Sequence, residues 1–234
     1  MRVLLHICCA PCTIYPLKVL RGEGHEITGF FYNPNIHPYT EFQKRREALT
    51  AYSGLTLLPL IVDEAYDLET FLRSALEAGN TGVDSKVAPG GHPGSSDAPT
   101  KNGTPRPAQY KARCRACYGI RLEAAFRRAA NDKADAVTTT LLYSIHQKHE
   151  TIAAVAEDLS GRYHVPFLYR DFREGWREGQ TQARSLGIYR QNYCGCIFSE
   201  YERFAGRPEK RGNTGSNSKV HREETNRKEH GRPR

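Results

Sequence analysis

Short apolar runs alternate along the chain with longer stretches in which apolar residues recur at helical spacing. Such runs are typical of buried strands, and the longer periodic stretches are typical of helices. We predict strands in the apolar run that ends at Cys8 and at about 26–32, 55–62, 134–142 and 165–169. We predict helices at about 13–21, 40–52, 67–76, 114–130, 148–161 and 174–186. The alternation predicts an α/β fold of the Rossmann-like kind, with an open, mostly parallel sheet and helices on both faces.

Local signals mark the starts of two of these helices. Thr40 with Gln43 predicts a capping box, and Glu41 can pair with Arg45 one turn later. Asp67 predicts the N-cap of the next helix.

Composition divides the chain into one structured domain and two polar segments. In residues 78–108, 11 of 31 residues are Gly or Pro, which predicts a disordered insertion. The tail at 205–234 has few apolar residues and is also predicted to be disordered. We therefore expect a single α/β catalytic domain at 1–204.

The charge is distributed unevenly. The chain has a net charge of +8, and the tail holds nine Lys and Arg against four Asp and Glu, or +5. A basic tail is compatible with nucleic-acid contact and equally with a merely solubilising role. The first residues are too short an apolar run for a signal peptide, and no stretch has the length of a membrane helix. We expect a cytoplasmic protein with reduced thiols and no membrane partner.

Seven cysteines form three tight groups. The groups are Cys8, Cys9 and Cys12 after the first strand, Cys114 and Cys117 at a predicted helix start, and Cys194 and Cys196 near the domain end. Clustered thiols in a reducing compartment indicate metal binding or redox catalysis. A helix start would also stabilise thiolates at Cys114 and Cys117.

The spacing leaves several kinds of site open. A structural zinc site would use four thiolates and leave three unexplained. A thioredoxin-like dithiol would use a single pair. An iron–sulfur cluster would use four thiolates, most economically Cys8, Cys9, Cys114 and Cys117, and would leave Cys194 and Cys196 as a separate pair. All seven thiols could also bind metal.

Four segments together resemble a known family. They are LLHICCAPC at 4–12, FFYNPNIHPYTEFQKRREAL at 30–49, CRACYGIRLEAAF at 114–126 and LGIYRQNYCGCIFS at 186–199. Each is weak alone, but in combination they closely resemble the cobalamin-independent epoxyqueuosine reductases of the QueH type over nearly all of residues 2–201. The resemblance implies a HUP-like α/β domain that reduces the epoxide of epoxyqueuosine, at the wobble position of tRNA, in the last step of queuosine biosynthesis.

The same resemblance implies roles for the cysteines. Cys8, Cys9, Cys114 and Cys117 look like the ligands of a [4Fe-4S] cluster, and Cys194 and Cys196 look like a redox-active disulfide pair. A further metal ion beside the cluster, iron, is also implied. Cys12 is its unassigned candidate ligand.

Removal of an epoxide oxygen as water consumes two electrons and two protons. A dithiol can supply the electrons and is thereby oxidised to a disulfide. An electron donor, which the sequence does not identify, must then reduce the disulfide. Candidate groups for proton transfer or substrate contact are His37, Tyr32, Asp171 and Tyr193, each of which also has an ordinary structural interpretation.

Two other functions are compatible with parts of the pattern. A tRNA-binding module with a structural zinc site would explain the basic charge and the aromatic loops. An ATP-dependent tRNA-thiolating enzyme would also combine an α/β sheet with cysteines. That enzyme would need a glycine-rich loop after the first strand, where this chain has CCAPC.

Overall fold

Four parallel strands form the sheet at the centre of the fold. The structure, a computed structural model, describes residues 1–80 and 107–204, with side chains at 1–78 and 112–204. The strands are β1 (Arg2–His6), β2 (Glu26–Phe31), β3 (Leu60–Val62) and β4 (Ala136–Thr139), in the order β3-β2-β1-β4. All three pairings are parallel. The predicted parallel α/β fold is confirmed.

Seven helices flank the sheet in the described residues. They are α1 (Ala10–Gly22), α2 (Tyr39–Thr56), α3 (Leu68–Asn80), α4 (Pro107–Asp132), α5 (His149–Tyr163), α6 (Trp176–Ser185) and α7 (Ile197–Phe204). Short 3-10 helices lie at Thr140–Tyr143 and Arg173–Gly175. Helix α1 packs against α2 and α6, whereas α4 packs against α3 and α5. No described helix has the length and apolarity needed to cross a membrane.

The position of β1 in the sheet explains why its sequence is a continuous apolar run. It lies between β2 and β4, and its residues from Val3 to His6 are all buried. Strands covered by helices on both faces have no solvent-facing side, so every position favours an apolar residue. The one polar member, His6, is satisfied because its Nδ1 lies 2.8 Å from Thr139 Oγ1 on the neighbouring strand.

Three predicted strands are shorter in the structure. The prediction of a strand at 55–62 was wrong at its start, because α2 continues to Thr56 and only Leu60–Val62 is extended. Leu55 and Leu57 belong to that run but are 72% and 84% exposed, so burial does not hold them in a sheet. The strand at 134–142 is replaced after Thr139 by a 3-10 helix, and the strand at 165–169 is reduced to a single bridge.

Two helix starts also differ from their predictions. The capping box at Thr40 was wrong, since Pro38 is the N-cap of α2 and no side chain caps the helix. Helix α4 begins at Pro107, so Cys114 and Cys117 lie within the helix and not at its stabilising N-terminus. The N-cap at Asp67 is confirmed, because Thr70 N donates to its Oδ1 over 3.3 Å.

The two polar segments fall largely outside the described residues. The ends of the predicted insertion, 78–80 and 107–108, belong to α3 and α4. The rest of the insertion and the tail at 205–234 lie beyond what the structure describes. Helix α7, just before the tail, was not predicted.

Candidate active site

A cavity of about 370 Å³ lies at the carboxyl ends of β1 and β4. The open end of a parallel sheet is where α/β proteins place their ligands. Six of the seven cysteines line this cavity, namely Cys8, Cys12, Cys114, Cys117, Cys194 and Cys196. The fold therefore brings together three groups that are far apart in the sequence.

The first group forms a compact cluster of sulfur atoms. The Sγ atoms of Cys8, Cys9 and Cys12 all lie within 4.8 Å of one another, and those of Cys8 and Cys9 are 3.7 Å apart. Thr140 Oγ1 donates to Cys8 Sγ over 3.3 Å, and Gln191 Nε2 donates to Cys9 Sγ over 2.8 Å. Among the described residues, this is the one group of three side chains with metal-ligand geometry.

The three thiols of the first group differ in pKa. Hydrogen bonds from the thiols of Cys12 and Cys9 hold the pKa of Cys8 well below its usual value. Burial raises the pKa of Cys9 to about 12, and the hydrogen bond to Cys8 raises that of Cys12. The cluster thus favours one thiolate, at Cys8, and two thiols.

Helix α4 presents the second group to the cavity. Cys114 and Cys117 lie about one turn apart on this helix and both line the cavity. Burial raises the pKa of Cys117, whose Sγ lies 3.9 Å from Arg121 Nη1. Arg121 follows Cys117 by four residues, which places the guanidinium and the thiol on the same face of the helix.

The third group lies in the segment between α6 and α7. Cys194 is exposed and Cys196 is half-buried. A hydrogen bond from the Cys196 thiol lowers the pKa of Cys194 to about 6, and the same interaction raises the pKa of Cys196. Gly195 between them has φ +106, a conformation that favours glycine.

Three successive backbone carbonyls of this segment are bound by one neighbouring part of the chain. Arg45 donates from Nη2 to Tyr193 O over 3.2 Å and from Nη1 to Cys194 O over 3.0 Å. His37 N donates to Gly195 O over 2.7 Å. These bonds, which we call the carbonyl clamp, fix the backbone that carries the third group.

The guanidinium of the carbonyl clamp is itself held by a buried acid. Arg45 is 1% exposed, and its Nε donates to Glu41 Oε1 over 2.7 Å. Tyr189 donates a further hydrogen bond to the other oxygen of Glu41. The predicted pairing of Glu41 with Arg45 is confirmed, and it contributes to the site as well as to the helix.

Comparison with known proteins identifies the family of this chain. A family model described as "Epoxyqueuosine reductase QueH" matches residues 3–85 and 99–202. The chain belongs to the epoxyqueuosine reductase QueH family. The sequence resemblance is thus confirmed, and the chain is an oxidoreductase.

Individual relatives match over almost the whole domain. Epoxyqueuosine reductase QueH of Dehalococcoides mccartyi is 32% identical over 207 residues, which cover 88% of this chain and 96% of the relative. That of Thermotoga maritima is 30% identical over 205 residues, covering 86% and 91%. Among solved structures, a predicted subunit of tRNA methyltransferase from Methanocaldococcus jannaschii aligns with TM-score 0.46 and 11% identity, covering 79% of this chain and 74% of that one.

Two of the residues singled out for proton transfer lie beside the carbonyl clamp. Tyr193 lines the cavity, and its hydroxyl donates to the backbone carbonyl of His37. The His37 ring lies outside the cavity lining, with Nδ1 2.9 Å from the hydroxyl of Tyr66. His37 therefore contacts the segment of the third cysteine group through its own backbone N–H and carbonyl groups.

The other two lie away from the thiols. Tyr32 is absent from the cavity lining, and its ring stacks on Phe30. Asp171 is also absent from the lining, and its hydrogen bonds with Arg173 lower the pKa of its carboxyl to about 2. A carboxylate with that pKa holds no proton to donate near neutral pH.

Several site residues were not predicted. Arg121 and Gln191 line the cavity and contact thiols, and Asn33 binds Arg121 from behind the lining. The four-residue spacing of Arg121 from Cys117 was a usable signal, but the contact between Gln191 and Cys9 links positions 182 apart. Trp176 packs against Tyr143 and also lines the cavity.

The donor set suits a metal held by sulfur. Soft thiolates select zinc, Cu(I) and iron–sulfur groups over Mg²⁺ or Ca²⁺. The cavity offers thiols from three parts of the chain, more than a four-coordinate site needs. The residues present therefore fit a metal group held by sulfur, and three of the thiols already have metal-ligand geometry.

Proposed function

We propose that this chain reduces epoxyqueuosine to queuosine in tRNA, the last step of queuosine biosynthesis. The observation that carries the proposal is the convergence of all three cysteine groups at one cavity, in a chain of the QueH family. The tRNA and reduced thiols that the reaction needs are found in the cytoplasm, where we propose that the protein acts. Family membership argues against a zinc-binding RNA module and a tRNA-thiolating enzyme.

We propose that Cys8, Cys9, Cys114 and Cys117 hold a [4Fe-4S] cluster. When bound, such a group supplies single-electron transfer beside the substrate. Cys12 is the third thiol of the group that contains Cys8 and Cys9, and it is the candidate ligand for a further iron ion.

We propose that Cys194 and Cys196 are the two-electron reductant of the reaction. Conversion of the epoxide to the alkene releases its oxygen as water and consumes two electrons and two protons. Oxidation of the Cys194 thiolate and the Cys196 thiol to one disulfide releases two electrons and one proton, and the second proton is taken up from solvent, so the step balances. Cys194 is the exposed member of the pair and can also reach an external electron donor, which restores the dithiol.

The cavity surroundings support contact with a nucleotide. Arg190 and Arg203 line the cavity, as do the aromatic side chains of Trp176 and His146. Single-stranded RNA bases are recognised by stacking on aromatic rings, and its phosphates are bound by arginine. We propose that Trp176 contacts the base in the anticodon loop. Of the four residues predicted for proton transfer, Tyr193 is retained as the candidate because it lines the cavity.

The test is reconstitution of the reaction without oxygen. Protein purified anaerobically is expected to be brown, with about four iron and four sulfide per chain. With dithionite in place of the physiological donor, it should convert epoxyqueuosine in tRNA to queuosine, measured by mass spectrometry of the digested nucleosides. Stoichiometric zinc without sulfide would reject the cluster, and an iron-loaded protein that leaves the epoxide intact would reject the reaction.

A further inference from the structure

Arg121 is a buried arginine at the centre of the thiol-lined cavity. It is 3% exposed and lines the cavity between β1 and α4. Its Nη2 donates to Asn33 Oδ1 over 2.7 Å, and its Nη1 lies 3.9 Å from Cys117 Sγ. Asn33 in turn donates from Nδ2 to Ile7 O over 2.8 Å, which ties the guanidinium to the backbone just before Cys8.

Arg121 differs from the other buried arginines in having no acidic partner among the described residues. Arg45 pairs with Glu41, and Arg113 pairs with Glu202 over 2.7 Å. The described carboxylates include none within ion-pair distance of Arg121, and its Nε has no hydrogen-bond partner. Burial of a charge is strongly unfavourable unless an opposite charge compensates it.

The groups that can supply that opposite charge are thiols. Cys117 Sγ lies 3.9 Å from Arg121 Nη1, and Cys8 lines the same cavity. Arg121 thus contacts a sulfur atom of the second group and is linked through Asn33 to the backbone that carries the first.

We propose that Arg121 is the fixed counter-charge of the thiolate–metal group in this cavity and that it raises the reduction potential of that group. The inference rests on the proposed function, since it takes Cys8 and Cys117 as ligands. Reduction adds an electron to an already anionic group. A positive charge held nearby at low dielectric favours the reduced state, and the hydrogen bond that Arg121 donates to Asn33 keeps that charge in place.

The test compares the midpoint potential of the bound iron–sulfur group in Arg121→Gln and wild-type protein, followed by visible absorption during reductive titration. The equilibrium constant for reduction is expected to fall about tenfold, which corresponds to about 59 mV for one electron. Arg121→Lys keeps the charge and should recover most of the shift. Arg128→Gln, the same change on the same helix at an ion pair with Asp132, should leave the potential unaltered.

An iron-loaded Arg121→Gln protein with the wild-type potential would overturn the inference. If Arg121→Gln fails to hold iron, the comparison moves to iron content in Arg121→Lys. Retention of iron by the lysine variant supports a role for charge, whereas loss from both variants overturns it.

Turnover of epoxyqueuosine by the wild-type protein separates this inference from the proposed function. Turnover with an unshifted Arg121→Gln potential would remove the inference and leave the function standing. A shifted potential without any wild-type turnover would remove the function and leave the inference standing. A wild-type protein without iron and sulfide would remove both.

Discussion

At the scale of single residues, Cys194 and Cys196 differ in the state of their protons. Because the pKa of Cys194 is lowered to about 6 and that of Cys196 is raised, the reduced pair holds one thiolate and one thiol near neutral pH. A thiol with a pKa near the ambient pH is well suited to thiol–disulfide exchange. We infer that the exposed Cys194 is the sulfur that meets external reactants.

Serine variants should separate the two proposed roles of the cysteines. Cys194→Ser and Cys196→Ser are expected to abolish conversion of epoxyqueuosine while iron content and the cluster spectrum stay near wild type. Cys114→Ser should lose iron first, because a ligand is removed. Loss of the cluster from Cys194→Ser would show that this thiol is a ligand. Full activity in that variant would show that the Cys194–Cys196 pair takes no part in the reaction.

Gly195→Ala should disturb the third cysteine group. A Cβ at this position would lie 2.9 Å from Ile36 Cγ1 and 3.0 Å from Arg45 Nη1, and φ is +106. The backbone conformation costs about 1–2 kcal/mol and the crowding a further ~1–3 kcal/mol. The measurement is the urea midpoint together with epoxyqueuosine turnover.

Gly187→Ala is the matched control for this substitution. Gly187 also has a positive φ, +63, but a Cβ there meets nothing within 4 Å. It should show the conformational cost alone, with turnover retained. Equal effects of the two substitutions on turnover would mean that the contacts around Gly195 do not matter for the reaction.

At the scale of elements, buried strands and helix periodicity could be predicted, whereas element ends could not. The run at β1 is apolar because both faces are covered, and this local pattern is visible in the sequence. Leu55 is equally apolar but is exposed and belongs to a helix. Burial in the tertiary structure decides whether such a residue lies in a strand or in a helix. The carbonyl clamp could not be predicted, since Arg45 and Cys194 are 149 positions apart.

The buried pair on α2 should matter far more than a similar pair on the surface. Arg45→Met leaves Glu41 buried without its cationic partner and removes the guanidinium bonds to two carbonyls, so the free energy of unfolding should fall by about 3–5 kcal/mol. Arg73→Met breaks an exposed pair with Glu69, of the same i,i+4 spacing, and should cost about 0.3–0.5 kcal/mol. Urea unfolding measures both changes in stability. Equal decreases in the two variants would contradict the role of Arg45 in the carbonyl clamp.

At the scale of the whole molecule, positive charge is concentrated beyond the described domain. The tail at 205–234 carries +5 of the total +8. Binding of tRNA through such charges releases counterions and therefore weakens as salt rises. Deletion of the tail is expected to weaken tRNA binding chiefly at low salt and to preserve turnover at saturating tRNA. Filter-binding or fluorescence titrations across salt concentrations measure this, and an unchanged affinity at every salt concentration would refute it.

The carbonyl clamp also bears on the timing of the catalytic cycle. Its donors, the guanidinium of Arg45 and the backbone N–H of His37, are not altered when sulfur is oxidised or reduced. The backbone that carries Cys194 and Cys196 is therefore expected to stay in place while the pair is oxidised and reduced. We expect binding and release of tRNA, and not rearrangement of this segment, to limit turnover, so that added viscosity slows it.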